Sequence, residues 1–235
     1  MINEVRNTVL SILAKDNRGY VTPFEFNLYA KQAQLEVFER YIYLYSNAII
    51  KQNQRAHGEG YADVPKKLAE VIDTFYKVDS LSYSSPNFIA PTDSYFIQKL
   101  VLNNTKEIER VSHQKILQLL SSNLTAPSIS YPVYTLSDGV APVRSIFMVY
   151  PDTIIADVDI HYLRYPKEPK WTYTSVGGDP LFNGSANDYQ DFEMPLSDFS
   201  DLVVKILQYA GVSIREQEVM AAAKSEELQE IQQKQ

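Results

Sequence analysis

The residues able to do chemistry are few and widely spaced. There are three histidines. His57 lies in His57-Gly58-Glu59-Gly60, His113 beside a helix start and His161 in a strand-like run, and no two have the paired spacing of metal ligands. Asp157 and Asp159 would point to one face of a strand, where two carboxylates can do acid–base work, although a solvated sheet face has the same spacing. Asp16-Asn17-Arg18-Gly19-Tyr20-Val21-Thr22 followed by Glu25 reads like the middle of an EF-hand calcium loop. With Gly19 at the sixth position, Ala14 falls first, Asp16 third, Arg18 fifth and Glu25 twelfth. Two of the three early oxygen ligands are then missing, and Arg18 brings a positive charge towards the ion. A sharp turn between two helices, with glycine supplying positive φ, is the preferred reading. A non-catalytic binding or regulatory module with a degenerate calcium loop at 16–25 is the alternative.

The signatures of enzymes are not present. The chain contains no phosphate-binding Walker loop, dinucleotide-binding glycine fingerprint, nucleophile elbow or His-Glu-x-x-His. With no cysteine, it has no disulfide, thiolate metal site or cysteine nucleophile. The residues therefore assign no catalytic residue, no cofactor and no metal, and the chain is read as a non-enzyme.

The elements that would position any site can be read from the same residues. Thr22-Pro23-Phe24-Glu25 combines an N-cap hydroxyl, a proline at the first helical position and a glutamate that closes a capping box. A long helix is expected from Pro23 to about Arg55. It carries an apolar stripe of Leu28, Leu35, Ile42 and Ile49, flanked by Phe24, Phe38 and Tyr45. A shorter helix over about 3–14 precedes it, and another opens at Pro65 and ends near Lys77. From 88 to 170 the pattern turns largely to period two. Strands are expected over 95–102 and 107–111, joined at Asn103-Asn104, then a short helix over 112–122. Three further strands, 128–135, 143–150 and 154–165, read as an antiparallel meander. Residues 171–197 read as a loop or arm. The chain closes with a helix over about 198–209 stopped by Gly211, and a second one from the capping box Ser213-Ile214-Arg215-Glu216.

The fold class expected is thus α+β, a helical body with a small antiparallel β module. Residues 1–87 form the N-terminal helical part, 88–170 the β-rich module, 171–197 the arm, and 198–235 the helices that complete the body. The 45% hydrophobic content can fill such a core. The formal net charge of −7 argues against tight, sequence-independent binding to a nucleic-acid backbone but is compatible with DNA passing nearby. The opening residues lack the pattern of an export signal and no stretch reads as a membrane span, so a cytoplasmic setting is expected. Seventeen tyrosines against one tryptophan suit a protein rich in interfaces.

Two stretches carry a resemblance: Lys15-Asp16-Asn17-Arg18-Gly19-Tyr20-Val21-Thr22-Pro23, and the run from Ile160 to Trp171, Ile-His-Tyr-Leu-Arg-Tyr-Pro-Lys-Glu-Pro-Lys-Trp. Together with Met194-Pro195-Leu196 and Ala210-Gly211-Val212, they make the chain resemble the head-to-tail connector proteins of short-tailed bacteriophages, particularly the ring or adaptor proteins of crAss-like phages. The resemblance implies a non-enzymatic virion protein made in the host cytoplasm. It would form a dodecameric ring with copies of itself below the portal protein, contact other connector or tail proteins, and extend the channel for genomic DNA. It also implies that the C-terminal segment docks on the portal, which would make Ile214, Val219, Leu228 and Ile231 its anchors.

Overall fold

The computed structural model describes residues 1–15, 20–53, 63–138 and 145–214. The chain divides into two compact units. Met1–Val71 with Pro166–Gln235 form the first and Ile72–Tyr165 the second.

The first unit is built on three helices, α1 (Ile2–Lys15), α2 (Pro23–Asn53) and the closing α5 (Phe199–Ile214). The expected capping box starts α2. The Thr22 hydroxyl accepts from the Glu25 N–H at 3.3 Å, and the Glu25 carboxylate accepts from the Thr22 N–H at 2.8 Å. The face that α2 buries is Phe26, Ala30, Ala33, Val37 and Phe38, whereas Phe24 is 79% and Leu28 56% exposed. The heptad stripe read from sequence therefore lies largely on another side of the helix, with only Phe38 shared. Leu202, Ile206 and Ala210 of α5 and Val5 and Val9 of α1 supply facing core residues. Helix α5 runs through Gly211 to Ile214, so the expected stop and restart there do not occur. Glycine ends a helix by adopting positive φ, and Gly211 is not among the positive-φ glycines; it is buried inside the helix.

The second unit is where the expected architecture fails. Instead of a small antiparallel module beside a helical body, it holds an eight-stranded mixed sheet. The strands are β1 (Tyr76–Ser80), β2 (Ser82–Ser84), β3 (Asn87–Ile89), β4 (Ser94–Leu102), β5 (Lys106–Arg110), β6 (Val133–Asp138), β7 (Ser145–Tyr150) and β8 (Val158–Arg164). Their order is β1-β8-β4-β5-β6-β7-β3-β2. Helix α3 (Asp63–Asp73) ends short of the expected Lys77, and β1 begins three residues later.

Three connections explain the difference. Helix α4 (His113–Leu120), N-capped by Ser112, carries the chain across so that β5 and β6 pair in parallel, as a crossover requires. Strand β8 then pairs with β4 and β1 rather than continuing a meander from β7. Finally, β1 and β2 are the two edge strands of the sheet, yet only Leu81 separates them in sequence. The edges must therefore approach one another, and the sheet is nearly closed as a barrel. The Leu81 N–H donates to the Val158 carbonyl at 2.8 Å, and its side chain joins Phe88, Leu100, Ile108, Phe147, Ile160 and Tyr162 inside. The expected turn at Asn103-Asn104 is present, both residues having positive φ (51° and 53°).

The region expected to be an arm contains a separate hairpin, β9 (Tyr173–Val176) and β10 (Asp179–Phe182), in the first unit. Gly177 and Gly178 form its two-residue turn with φ of 65° and 101°, the conformation in which glycine is least strained.

Candidate interaction surfaces

The segment leading to the hairpin is fixed by side chains of α2. Gln34, buried on α2, donates to the Lys167 carbonyl at 2.7 Å and accepts from the Glu193 N–H at 3.0 Å. One heptad earlier, Asn27 accepts from the Trp171 N–H at 2.8 Å and donates to its carbonyl at 3.1 Å. The Trp171 indole donates to Asn3 at 3.0 Å, and the Arg6 guanidinium lies 3.9 Å from the ring centroid. Burial pulls that guanidinium below its ordinary pKa. Trp171 in turn stacks on Tyr173 and Phe182, which seats one face of the hairpin.

The other face of the hairpin has no such cover. Pairing of Thr174 with Leu181 and of Val176 with Asp179 places these four residues together, because side chains alternate along a strand. Val176 and Leu181 are each 56% exposed, and Asp179, also exposed, has no ion-pair partner among the described residues. It is the sole charged residue between Trp171 and Asn187. The free edge of β10 contains Pro180, which has no N–H to offer a further strand.

A second exposed surface lies on the barrel unit. Helix α4 and the segment after it contain no charged residue from Ile116 to Ser137 and expose Leu117, Leu120, Leu124, Ile129 and Tyr131, with Leu124 95% exposed. Underneath, Val111, Ile116 and Val133 form a small buried cluster that anchors α4 to the sheet. Between them opens a cleft of about 480 Å³ whose lining mixes the apolar Val111, Leu119, Leu124 and Pro127 with the polar Asn123, Thr125 and Ser128 and the charged Glu109 and Lys115. That volume is within the range of clefts that accept side chains or small ligands. Lys115 is exposed and has no ion-pair partner among the described residues.

The sequence-picked chemical residues are not brought together. Asp157 precedes β8 with φ 57°, so strand alternation does not extend to it and the expected shared face with Asp159 does not form. His161 contacts the Tyr76 hydroxyl, and His113 lies 2.7 Å from the Leu136 carbonyl. His57 and Asp16 to Gly19 lie outside the described residues, as do Val219, Leu228 and Ile231; Ile214 ends α5. Among the described residues, no group of three or more His, Asp or Glu could hold a metal ion, and no helix is long and apolar enough to cross a membrane.

One polar cluster escaped sequence reading because β1 itself was missed. The buried Tyr162 hydroxyl lies 2.8 Å from both Asp79 and Asp93, and Lys77 approaches the same carboxylates at 2.7 and 3.4 Å. Burial first, and then the two carboxylates, push the Tyr162 phenol far above its ordinary pKa. It therefore remains a hydrogen-bond donor, tying β8 to β1 and to the segment before β4, and does not serve as a base. The hairpin could have been found in sequence from Gly177-Gly178 between Tyr-Thr-Ser-Val and Pro-Leu-Phe.

No protein-family model matches this chain, and no curated protein is significantly similar to it.

Proposed function

We propose that the protein is a structural subunit that assembles with copies of itself into a ring within a phage head-to-tail connector, below the portal, where the ring extends the DNA channel and joins capsid to tail. The observation that carries this reading is the presence of two unlike, apolar, charge-poor exposed surfaces, the hairpin face on one unit and the α4 cleft on the other. A closed ring needs head-to-tail contacts between two different patches, whereas a two-fold dimer needs one self-complementary patch. Charge depletion with exposed aromatic and aliphatic side chains is the composition of an interface core. The resemblance in Ile160 to Trp171 adds to this, since part of that run, Lys167 to Trp171, is the segment that Gln34 and Asn27 hold in place ahead of the hairpin. The net charge of −7 favours passage of DNA over its retention.

Electron microscopy of the purified chain mixed with its cognate portal protein tests the reading. Rotationally symmetric rings stacked on portal particles are expected. Portal particles that remain bare at saturating concentrations of the chain would overturn the connector assignment.

A further inference from the structure

We infer that residues 76–84 are a strap that opens as one unit from the otherwise folded sheet, and that the charge on Asp79 holds it shut. The inference stands apart from the assembly reading and concerns the second unit alone.

The segment that closes the sheet is hardly part of its core. No side chain of β1 or β2 is buried, and Leu81 between them is the one buried residue from 76 to 86. Tyr83 of β2 touches Phe88, 5.0 Å between ring centroids, yet stays 38% exposed. Strand β8, the neighbour of β1, buries Val158, Ile160, Tyr162 and Leu163. Antiparallel partners share a face, so Lys77 opposite Tyr162 and Asp79 opposite Ile160 stand on the core side of β1, while Tyr76 and Val78 stand on the exposed side. That is the reverse of the polarity expected of a strand over an apolar core. A segment with so few buried apolar contacts opens at lower free energy than the elements around it.

In place of apolar contacts the strap has a polar latch. The Asp79 carboxylate meets the Lys77 ammonium at 2.7 Å and accepts from the buried Tyr162 hydroxyl at 2.8 Å. Asp93, in the segment before β4, lies 3.4 and 2.8 Å from the same two groups. These are the charged and titratable groups around Asp79; β4 offers Ile97 opposite Tyr162. On the other face of β8, His161 contacts Tyr76, with Lys99 of β4 opposite and Asp159 two residues away. The Lys77 ammonium, and after it the Tyr162 hydroxyl, hold the Asp79 carboxyl below its ordinary pKa against the opposing effect of burial. A depressed folded value contributes stability above the unfolded value of about 3.9 and loses it as pH falls through the folded one. Acid therefore releases the strap. Opening removes one neighbour each from β8 and β3 and turns the nearly closed barrel into an open sheet.

Native-state hydrogen exchange of the full chain, read by NMR, tests this. The Arg164 N–H donates to Phe75 and the Leu81 N–H to Val158, so alternation along an antiparallel ladder turns the Lys77 and Asp79 amides towards β8 as well. At pH 7, corrected for intrinsic rates, the Lys77, Asp79 and Leu81 amides should exchange at least roughly tenfold faster than the most protected amides of the β6–β7 ladder. Asp79→Asn still accepts from Tyr162 but no longer draws the Lys77 ammonium. It should speed the strap amides roughly tenfold further and leave the β6–β7 ladder within roughly twofold. Asp159→Asn, on the other face, should change neither. Lowering the pH towards 3 should erode protection of the strap more steeply in the unaltered chain than in Asp79→Asn. Equal protection of strap and ladder in the unaltered chain would mean that the segment opens only with the whole unit, and would overturn the inference. The same holds if Asp79→Asn speeds both sets alike or neither, or if acid erodes the strap as steeply in that variant as in the unaltered chain.

Discussion

Gln34 satisfies two backbone groups from segments far away in sequence, the Lys167 carbonyl and the Glu193 N–H, and is itself buried. Gln34→Ala leaves both without their partner, so a loss of about 2–4 kcal/mol is expected in urea unfolding, well beyond the value of one ordinary hydrogen bond. Asp191 plays a similar part at the start of α1. Burial alone would raise its pKa, but hydrogen bonds from the first-residue ammonium and the Ile2 and Phe192 N–H groups outweigh it and hold the carboxyl below its ordinary value. A depressed folded pKa contributes stability that is complete above the unfolded value of about 3.9 and disappears as pH falls through the folded value. Asp191→Asn should therefore cost about 1 kcal/mol at pH 7, the bond strength being discounted for partial exposure, and the gap from the unaltered protein should close below about pH 4. Neither role was legible in sequence. A lone Gln or Asp gives no signal until the fold brings its partner to it, whereas the Thr22–Glu25 box, whose partners are three residues apart, could be read directly.

Elements followed the same division between local and distant causes. The start of α2, the Asn103-Asn104 turn and the Ser112 cap all sit where short-range signals put them. Thr22→Ala should destabilise the protein by about 1 kcal/mol in thermal unfolding, the usual worth of an N-cap. Strands β1 to β3 were missed because they are only five, three and three residues long, too short for apolar alternation to mark them. The stripe on α2 was assigned to the wrong side because the helix is apolar on two sides, and periodicity cannot say which one the rest of the chain covers. Leu81 is the residue that brings the two sheet edges together, with its side chain in the core. Leu81→Ala should cost about 2–5 kcal/mol in urea unfolding, at the upper end if the β1–β2 junction also loosens.

At the scale of the molecule, the composition already excluded thiol chemistry, and its many tyrosines suit the interfaces of the assembly proposed above but carry no information on where exposed apolar surface lies. The hairpin face and the α4 cleft emerge only once Gly177-Gly178 folds β9 onto β10 and α4 is anchored on β5 and β6. Both then present exposed apolar side chains, with Asp179 on the hairpin face and both Lys115 and Glu109 lining the cleft. A head-to-tail contact of this kind grows until it closes, so the assembled mass should reach a whole-number multiple of the 26.8 kDa chain and stop there. Native mass measured over a hundredfold range of concentration is the most direct test. One discrete multimer whose mass no longer rises with concentration is expected; a chain that stays monomeric throughout, or that grows without limit, would contradict ring assembly.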